Sequence, residues 1–420
     1  MGPIPGMLLF IALMAAGYYY NLTFVQFGLL DLGKRLIGLR EAEIARCMAL
    51  LAGLTAGIAV GVGLGMSRRN SRCLLRTRLK LIFCAVVAQA VLTRLAPAVR
   101  SETGYLGLVA ATALVLGVGV PATFGLTVDL VPVRLRGLAG ALITGLAYFP
   151  AVAVSPDWNI DQFSAGMLWP MLLGAVALAG LAFLPLRFVD RLAGQHSRPD
   201  YGPGRFIQVE PGGRLRLRRG LPTLLVLMFG VFFVDSLGFV RLADTPFFFE
   251  TAWQSPEPGP RIVIGLAHVI AALVAGVLYS ALDEKELFLW IFGIFALVHL
   301  MSALTARLPL TGTSPLGMPV LYAVAVSLYT VVNFALWADL STPETIDRNA
   351  ALGVALSAWT ATFLSTALAL QMRLSGVDLE THLRLVDSVA LLFFLLVGLL
   401  IFFSSGRVVR PDPRVMKGEP

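Results

Sequence analysis

The sequence predicts an all-α integral membrane protein with twelve transmembrane helices in two pseudo-symmetric six-helix bundles. Three observations favour this class: an apolar composition, twelve apolar stretches of membrane length, and a likeness between the two halves of the chain. Of the 420 residues, 57% are hydrophobic and 14% are charged, against about 25% charged residues in a typical soluble domain. This composition excludes a soluble globular protein and disfavours disordered, collagen-like, coiled-coil and disulfide-rich classes.

A bilayer span needs about 20 consecutive apolar residues, and the chain offers two sets of six such stretches. The first set covers residues 5–30, 42–66, 79–97, 104–131, 137–155 and 164–188. The second set covers residues 221–246, 261–282, 287–308, 317–340, 349–374 and 383–405. No Lys or Arg precedes Lys34, and no short apolar segment ends in an Ala-x-Ala site. We therefore expect the first stretch to remain as a span rather than to be cleaved as a signal peptide.

The longest polar stretch separates the two sets and predicts the domain organisation. Residues Asp190 to Gly220 are rich in Arg, Pro and Gly and show no helical apolar period. We predict an N-terminal six-helix bundle over residues 1–188, a cytoplasmic linker over 189–220, a C-terminal bundle over 221–405 and a cytoplasmic tail over 406–420. Two short segments, Arg68 to Lys80 and Arg187 to Arg219, hold much of the Lys and Arg on the side of both termini. The positive-inside rule therefore predicts that both termini lie in the cytoplasm. The preference for Arg over Lys is typical of a GC-rich bacterial gene, so we expect a multi-pass protein of the plasma (inner) membrane.

The two halves align when one is shifted by 212 residues, which indicates an internal duplication. This shift places Gly53 on Gly265 and Arg136 on Arg348. Each of the two aligned Arg residues follows an Asp-Leu pair and a Pro and precedes a run of small residues. Spans 1 to 5 then correspond in order to spans 7 to 11.

Twelve spans in two similar halves with a basic linker between them resemble the major facilitator superfamily of secondary transporters. The family's loop between spans 2 and 3 usually reads Gly-x-x-x-Asp-Arg-x-Gly-Arg-Arg. Here Gly63, Arg68 and Arg72 stand in the matching positions, while Ser67 replaces the Asp and Asn70 replaces the second Gly. The family's Arg in the middle of span 4 is missing from the sequence, and so is the Gly-Pro pair in span 5 that is typical of drug antiporters. The resemblance implies alternating-access transport of a small solute, without support for a proton-driven drug exporter of the usual kind.

The resemblance also implies that spans 1, 4, 7 and 10 line a central cavity, so polar residues on them are the candidates for substrate or proton binding. Asp235 is the strongest of these candidates, because it lies midway along span 7 among apolar neighbours. Ionisable groups at that depth in the membrane often carry protons. Arg241 and Asp244 lie three residues apart and are predicted to form a local ion pair, although Arg241 could instead attract an anionic substrate. Other candidates for hydrogen bonds to a solute are Tyr20, Asn21, Gln26, Asn333 and Trp337.

Charged residues in the loops on the linker side are candidates for opening and closing the cavity. They are Arg68, Arg72, Asp129, Arg136, Asp339 and Arg348. In span 2, glycines at every fourth position (Gly53, Gly57, Gly61 and Gly65) predict a flat face that another helix approaches closely. Span 11 carries a similar series of small residues, namely Gly353, Ser357, Ala361 and Ser365.

Enzyme signatures are absent from the sequence. None of the four histidines (His196, His268, His299 and His382) stands in a metal-ligand spacing, and no phosphate-binding loop of the Walker type occurs. Three cysteines, Cys47, Cys73 and Cys84, suggest neither a disulfide framework nor a zinc site. The net charge of +8 is concentrated in short loops rather than on one face, so no nucleic-acid partner is predicted. We therefore expect no cofactor, no metal and no catalysis. The partners that remain are the lipid bilayer and a small solute, and the alternative is a transporter-like membrane scaffold or assembly factor without solute flux.

Overall fold

A computed structural model provides the structure of the chain. It describes residues 4–67, 74–154, 159–193, 195–201, 204–209, 215–217, 220–250, 252–308 and 316–405. The predicted loop residues Arg68 and Arg72 lie outside these described residues.

Within the described residues, twelve helices are long and apolar enough to cross a membrane. We number them span 1 to span 12 in chain order. Spans 1 to 6 are Ile4–Ile37, Glu41–Ser67, Leu74–Ala98, Glu102–Leu130, Val133–Ala153 and Ile160–Phe183. Spans 7 to 12 are Leu221–Ala243, Pro258–Ala281, Glu284–Thr305, Gly317–Asp339, Ile346–Leu374 and Leu379–Phe403. The predicted helical membrane fold is thus confirmed.

The polar segment between spans 6 and 7 departs from an all-helical description. It contains a short helix, Arg187–Ala193, and two antiparallel strands, Ile207–Val209 and Leu215–Leu217, in which Ile207 lies opposite Leu217. Both strand sequences alternate apolar and polar residues, which is the period of a strand.

Two spans contain wide π-helical segments. Span 1 is π-helical over Asn21–Gly28 and again over Leu32–Ile37, and span 11 is π-helical over Ala351–Trp359. Such segments are uncommon and are frequent at functional sites, because the extra residue per turn changes which side chains face inward. The segments Asn21–Gly28 and Ala351–Trp359 contribute residues to the cavities described below.

Small residues bring helices of the two halves into close contact. A Cβ atom on Gly137 of span 5 would lie 2.7 Å from the Gly276 carbonyl oxygen of span 8. Similarly, a Cβ atom on Gly63 of span 2 would lie 2.7 Å from the Asp347 carbonyl oxygen of span 11. Spans 5 and 8, and spans 2 and 11, therefore form tightly packed contacts between the N-terminal and C-terminal sets of spans.

The predicted role of the glycine face of span 2 is wrong. Gly53, Gly57, Gly61 and Gly65 are exposed, and no described atom lies within 4 Å of a Cβ atom built on any of them. The interface uses the opposite face of span 2, where Thr55, Ala59 and Gly63 are buried. A period of four residues can mark either face of a helix, so the spacing alone did not identify the packed one. The small residues of span 11, in contrast, are buried.

Candidate functional site

A cavity of about 60 Å³ lies between the two sets of spans. Spans 1, 5, 7, 8, 10 and 11 line it, together with Trp253 from the segment after span 7. Its polar and aromatic lining residues are Tyr18, Asn21, Gln26, Phe27, Tyr148, Phe232, Asp235, Ser236, Phe239, Trp253, His268, Tyr322, Tyr329, Trp359, Thr362 and Phe363. We call this space the central cavity.

Asp235 is held by two tyrosines of span 10. The Tyr322 hydroxyl donates to Oδ1 at 2.6 Å, and the Tyr329 hydroxyl donates to Oδ2 at 2.5 Å. The two tyrosines stand seven residues apart, which places them on one face of span 10, two turns from each other. Asp235 could be found in the sequence from its apolar neighbours. Its partners could have been found only from this seven-residue spacing, which was missed.

A series of four contacting polar side chains extends from span 1 through spans 5 and 8 to span 10. The hydroxyls of Tyr18 and Tyr148 lie 2.9 Å apart. The Tyr148 ring stacks on His268, with ring centroids 4.4 Å apart and planes inclined by 6°. His268 Nδ1 in turn lies 3.0 Å from the Ser327 hydroxyl. The central cavity is therefore built from side chains of both halves, joined by ring stacking and hydrogen bonds.

Of the other residues predicted to bind a solute, some line the central cavity and others do not. Asn21 and Gln26 line the central cavity. Tyr20 does not, and its hydroxyl accepts a hydrogen bond of 3.3 Å from Thr93. Trp337 donates its indole N–H to Asn333 Oδ1 at 2.9 Å, so these two residues satisfy each other within span 10.

A larger cavity of about 720 Å³ adjoins the central one. It lies mainly among spans 1, 3, 4, 5 and 6 and is lined largely by apolar side chains. Tyr18 and Trp359 line both cavities, and Tyr20 and Asn333 line the larger one.

Buried ion pairs join the two halves at the end of the molecule that carries the linker, which we call the linker end. Arg78 of span 3 donates to both carboxylate oxygens of Asp347 in span 11, at 3.0 and 2.8 Å, and to Asp129 of span 4 at 3.2 Å. Arg136 of span 5 pairs with Asp339 of span 10 at 2.7 Å. All five side chains are at most 4% exposed.

Three of the predicted opening and closing residues thus meet in this layer. Arg136 pairs with Asp339 and Asp129 pairs with Arg78, whereas Arg348 donates to the neighbouring Asn349 at 3.2 Å. The sequence did not single out Arg78 and Asp347. Arg78 lies in the basic stretch that was used to predict the orientation, so its charge was not considered as a partner for a buried carboxylate.

The linker itself covers this layer. His196 Nδ1 lies 2.7 Å from Asp129 Oδ1, and this hydrogen bond raises the pKa of His196. The backbone N–H of Phe206 donates to the Asp339 carbonyl at 3.0 Å, and that of Gly204 donates to the Ser341 carbonyl at 3.1 Å. The linker therefore contacts the ends of span 4 in the first half and of span 10 in the second.

A second layer of ion pairs joins the halves at the opposite end. Asp244 pairs with Lys34 at 3.2 Å and with Arg373 at 2.6 Å, and Arg373 Nε donates to Glu41 at 2.9 Å. These side chains are between 21% and 33% exposed.

The predicted local pair between Arg241 and Asp244 is wrong. Arg241 instead donates to the Val377 carbonyl at 3.1 Å. Asp244 follows Ala243, the last residue of the helix, so its carboxylate leaves the face of Arg241 and turns towards spans 1 and 11.

Comparisons with known proteins identify the fold. No protein-family model and no curated protein matches the sequence. Among solved structures, a bacterial homologue of the iron transporter ferroportin in an outward-facing state with soaked iron superposes with a TM-score of 0.59 at 15% identity, covering 96% of this chain and 99% of that chain. The major facilitator superfamily proton:xylose symporter XylE, bound to 6-bromo-6-deoxy-D-glucose, superposes with a TM-score of 0.63 at 15% identity, covering 94% of each chain. This chain is therefore a multi-pass integral membrane protein with the fold of the major facilitator superfamily.

Proposed function

We propose that this protein is a secondary active transporter that moves a small solute across the membrane by alternating access. The observation that supports this most is the position of the central cavity, which both halves line. It lies between two layers of ion pairs, each of which joins the halves at one end. A central site with a closure on either side is what rocking of two bundles requires. The two bundles, residues 1–188 and 221–405, are proposed to move as units.

The two closures differ in strength. At the linker end the pairs are almost fully buried, so separating them costs several kcal/mol until water reaches both partners. At the opposite end the pairs are about a quarter to a third exposed, where an ion pair contributes about 0–1 kcal/mol. We infer that the opposite end opens more easily. Opening of the linker end is proposed to need the binding of the solute or of a proton, whose free energy offsets the cost of separating Arg78 from Asp347.

Asp235 is proposed to couple transport to protons. It is an ionisable side chain midway along a span, and such groups often mark ion pathways. Two tyrosine hydroxyls hold its oxygens at 2.6 and 2.5 Å in the central cavity. The basic loops favour a cytoplasmic linker end by the positive-inside rule, and the plasma (inner) membrane is the proposed location.

Distances between spin labels would test alternating access directly. One pair of labels would replace the exposed Ser101 and Ser375 at the opposite end, and the other would replace the exposed Arg134 and Glu344 at the linker end. Double electron–electron resonance in nanodiscs, in a chain whose native cysteines are replaced by serine, would measure both distances. We expect one distance to lengthen as the other shortens when the pH is changed from 8 to 5.

Asp235→Asn supplies the control for proton coupling. In the variant, both label distances should remain measurable, but they should change much less between pH 8 and pH 5. Distances at the two ends that never change in opposite directions, at any pH or with any solute, would contradict alternating access. An unchanged pH response in the variant would contradict only the role of Asp235.

A further inference from the structure

When Asp235 is ionised, the central cavity carries a negative charge without a counter-ion from the protein. Among its lining residues none is Lys or Arg, and none of the ion pairs formed by the described residues includes Asp235. Both carboxylate oxygens accept tyrosine hydrogen bonds of 2.5 and 2.6 Å, lengths typical of hydrogen bonds to an ionised carboxylate. Neutral hydroxyls stabilise this charge but do not cancel it, and a buried charge is costly unless it is paired.

His268, the cavity's imidazole, does not supply that counter-ion. The Ser327 hydroxyl donates to the His268 carbonyl at 3.2 Å, so its oxygen must accept the hydrogen bond from His268 Nδ1 at 3.0 Å. This arrangement assigns the Nδ1–H tautomer. The described residues show no His268 to Asp235 ion pair within 4 Å. The compensating cation, whether a proton or a cationic solute, therefore comes from outside the chain.

Two further atoms in the cavity lack hydrogen-bond partners. Asn21 Oδ1 and Ser236 Oγ are buried, and neither forms a hydrogen bond in the structure. Buried polar atoms without partners are uncommon in folded proteins. An acceptor such as Asn21 Oδ1 is suited to a ligand that carries N–H or O–H donors.

Aromatic rings complete the surroundings of the carboxylate. The Trp253 ring lies edge to face with the rings of Phe239 and Tyr322, at centroid distances of 5.2 and 5.8 Å. The ring centroids of Phe232 and Tyr329 are 4.6 Å apart. Rings around a desolvated site attract organic cations through their π faces.

The geometry points to a small protonated amine as the solute, with its ammonium group against Asp235 and an N–H donated to Asn21. This assignment rests on the proposed transport function and names its substrate class. The volume of about 60 Å³ holds roughly four to six groups the size of water, so the amine is small. The described residues contain no group of three or more His, Cys, Asp or Glu that could hold a metal ion, which favours an organic cation over a divalent metal. The amine and the coupling proton would compete for the same carboxylate.

A series of small molecules of similar size and different charge tests the assignment. Propylammonium, propionate and propan-1-ol would be titrated at pH 7 against the full chain in nanodiscs, with the fluorescence of Trp253 and Trp359 as the readout. We expect saturable binding of propylammonium alone. Asp235→Asn should weaken that binding about 10- to 100-fold, the equivalent of losing a hydrogen bond to a charged group. Asp387→Asn is the matched control, because Asp387 is a carboxyl of span 12 that does not line the cavity.

Several outcomes would overturn the assignment. Equal binding of propan-1-ol, or unchanged binding of propylammonium in Asp235→Asn, removes the charge argument. Competition by Mn²⁺ that is lost in the same variant points to a metal ion instead. Tetramethylammonium has no N–H, and binding as tight as that of propylammonium would remove the role of Asn21. If Asp235→Asn does not fold, the preference of the wild-type chain for the ammonium over the alcohol decides the question.

The label distances separate this inference from the transport proposal. Amine binding without opposed movements at the two ends would contradict transport while leaving the amine site in place. Opposed movements without binding of any small amine would contradict the amine site and leave transport standing.

Discussion

Arg78 and Asp347 form a buried two-pronged ion pair, although they are separated by 269 residues and belong to opposite halves of the chain. The Nε–Oδ1 and Nη2–Oδ2 distances are 3.0 and 2.8 Å. Paired hydrogen bonds between a guanidinium and a carboxylate are directional as well as strong. This contact therefore fixes how the two halves meet at the linker end, and it must break whenever that end opens.

We predict that Arg78→Ala destabilises the protein by about 3–5 kcal/mol, because it leaves Asp347 and Asp129 buried without their shared cation. The matched control is Arg76→Ala, two residues earlier in the same helix. Arg76 pairs with Asp190, and the two side chains are 35% and 60% exposed, so its loss should cost less than about 1 kcal/mol. Unfolding of both variants in nanodiscs would measure the difference, and equal costs would show that the buried pair is not a strong closure.

The contact between His196 and Asp129 should depend on pH. Its hydrogen bond to Asp129 raises the pKa of His196 in the folded protein. The contact is therefore at full strength below the unfolded-state pKa of His, about 6.5, and is lost as the pH rises through the raised folded value.

Hydrogen exchange of residues 195–201 and 204–206 would test this pH dependence. Protection of these amides should fall between pH 6 and pH 8, after correction for the intrinsic exchange rate. His196→Gln should remove the pH-dependent part of that change. A variant with the same pH profile as the wild type would show that another group controls the linker.

Glycines on the two faces of span 2 should respond oppositely to the same substitution. A Cβ atom at Gly63 would lie 2.7 Å from the Asp347 carbonyl oxygen and 2.9 Å from the Ala351 Cβ, so Gly63→Ala should cost about 1–3 kcal/mol through overpacking. Gly61 has nothing within 4 Å, and Gly61→Ala should be neutral or stabilise by up to about 1 kcal/mol through helix propensity. Thermal unfolding of the two variants distinguishes them, and a neutral Gly63→Ala would mean that spans 2 and 11 separate at little cost.

Breaking the second ion-pair layer should change conformation more than stability. Asp244 pairs with Lys34 and Arg373, which are 33% and 32% exposed. We expect Asp244→Asn to cost about 1 kcal/mol or less but to lengthen the label distance between positions 101 and 375. Asp347→Asn should instead lengthen the distance between positions 134 and 344. The same response at both ends in either variant would argue against two independent closures.

The sequence by itself determined the class of protein and the number of spans, and it singled out Asp235, Asp129, Arg136 and Asp339 as candidates. Apolar stretches of membrane length and charges placed within or beside them are local properties, and the bilayer imposes them directly on each helix. The position of Asp235 among apolar neighbours needed no knowledge of other spans. Its two tyrosine partners lie 87 and 94 residues away, and only the folded chain brings them to its oxygens.

Only the tertiary structure decided which face of each helix packs and which charges meet. The glycine series of span 2 was assigned to the wrong face, because a regular spacing describes both the packed and the lipid-facing sides of a helix. Asp244 pairs with Lys34 and Arg373 rather than with Arg241, because the helix ends at Ala243 and redirects its carboxylate. Arg78 and Asp347 meet across the halves because spans 2 and 11 pack at Gly63. Which side chains form pairs depends on how helices distant in sequence are rotated and spaced relative to each other. No local pattern in the sequence determines that rotation.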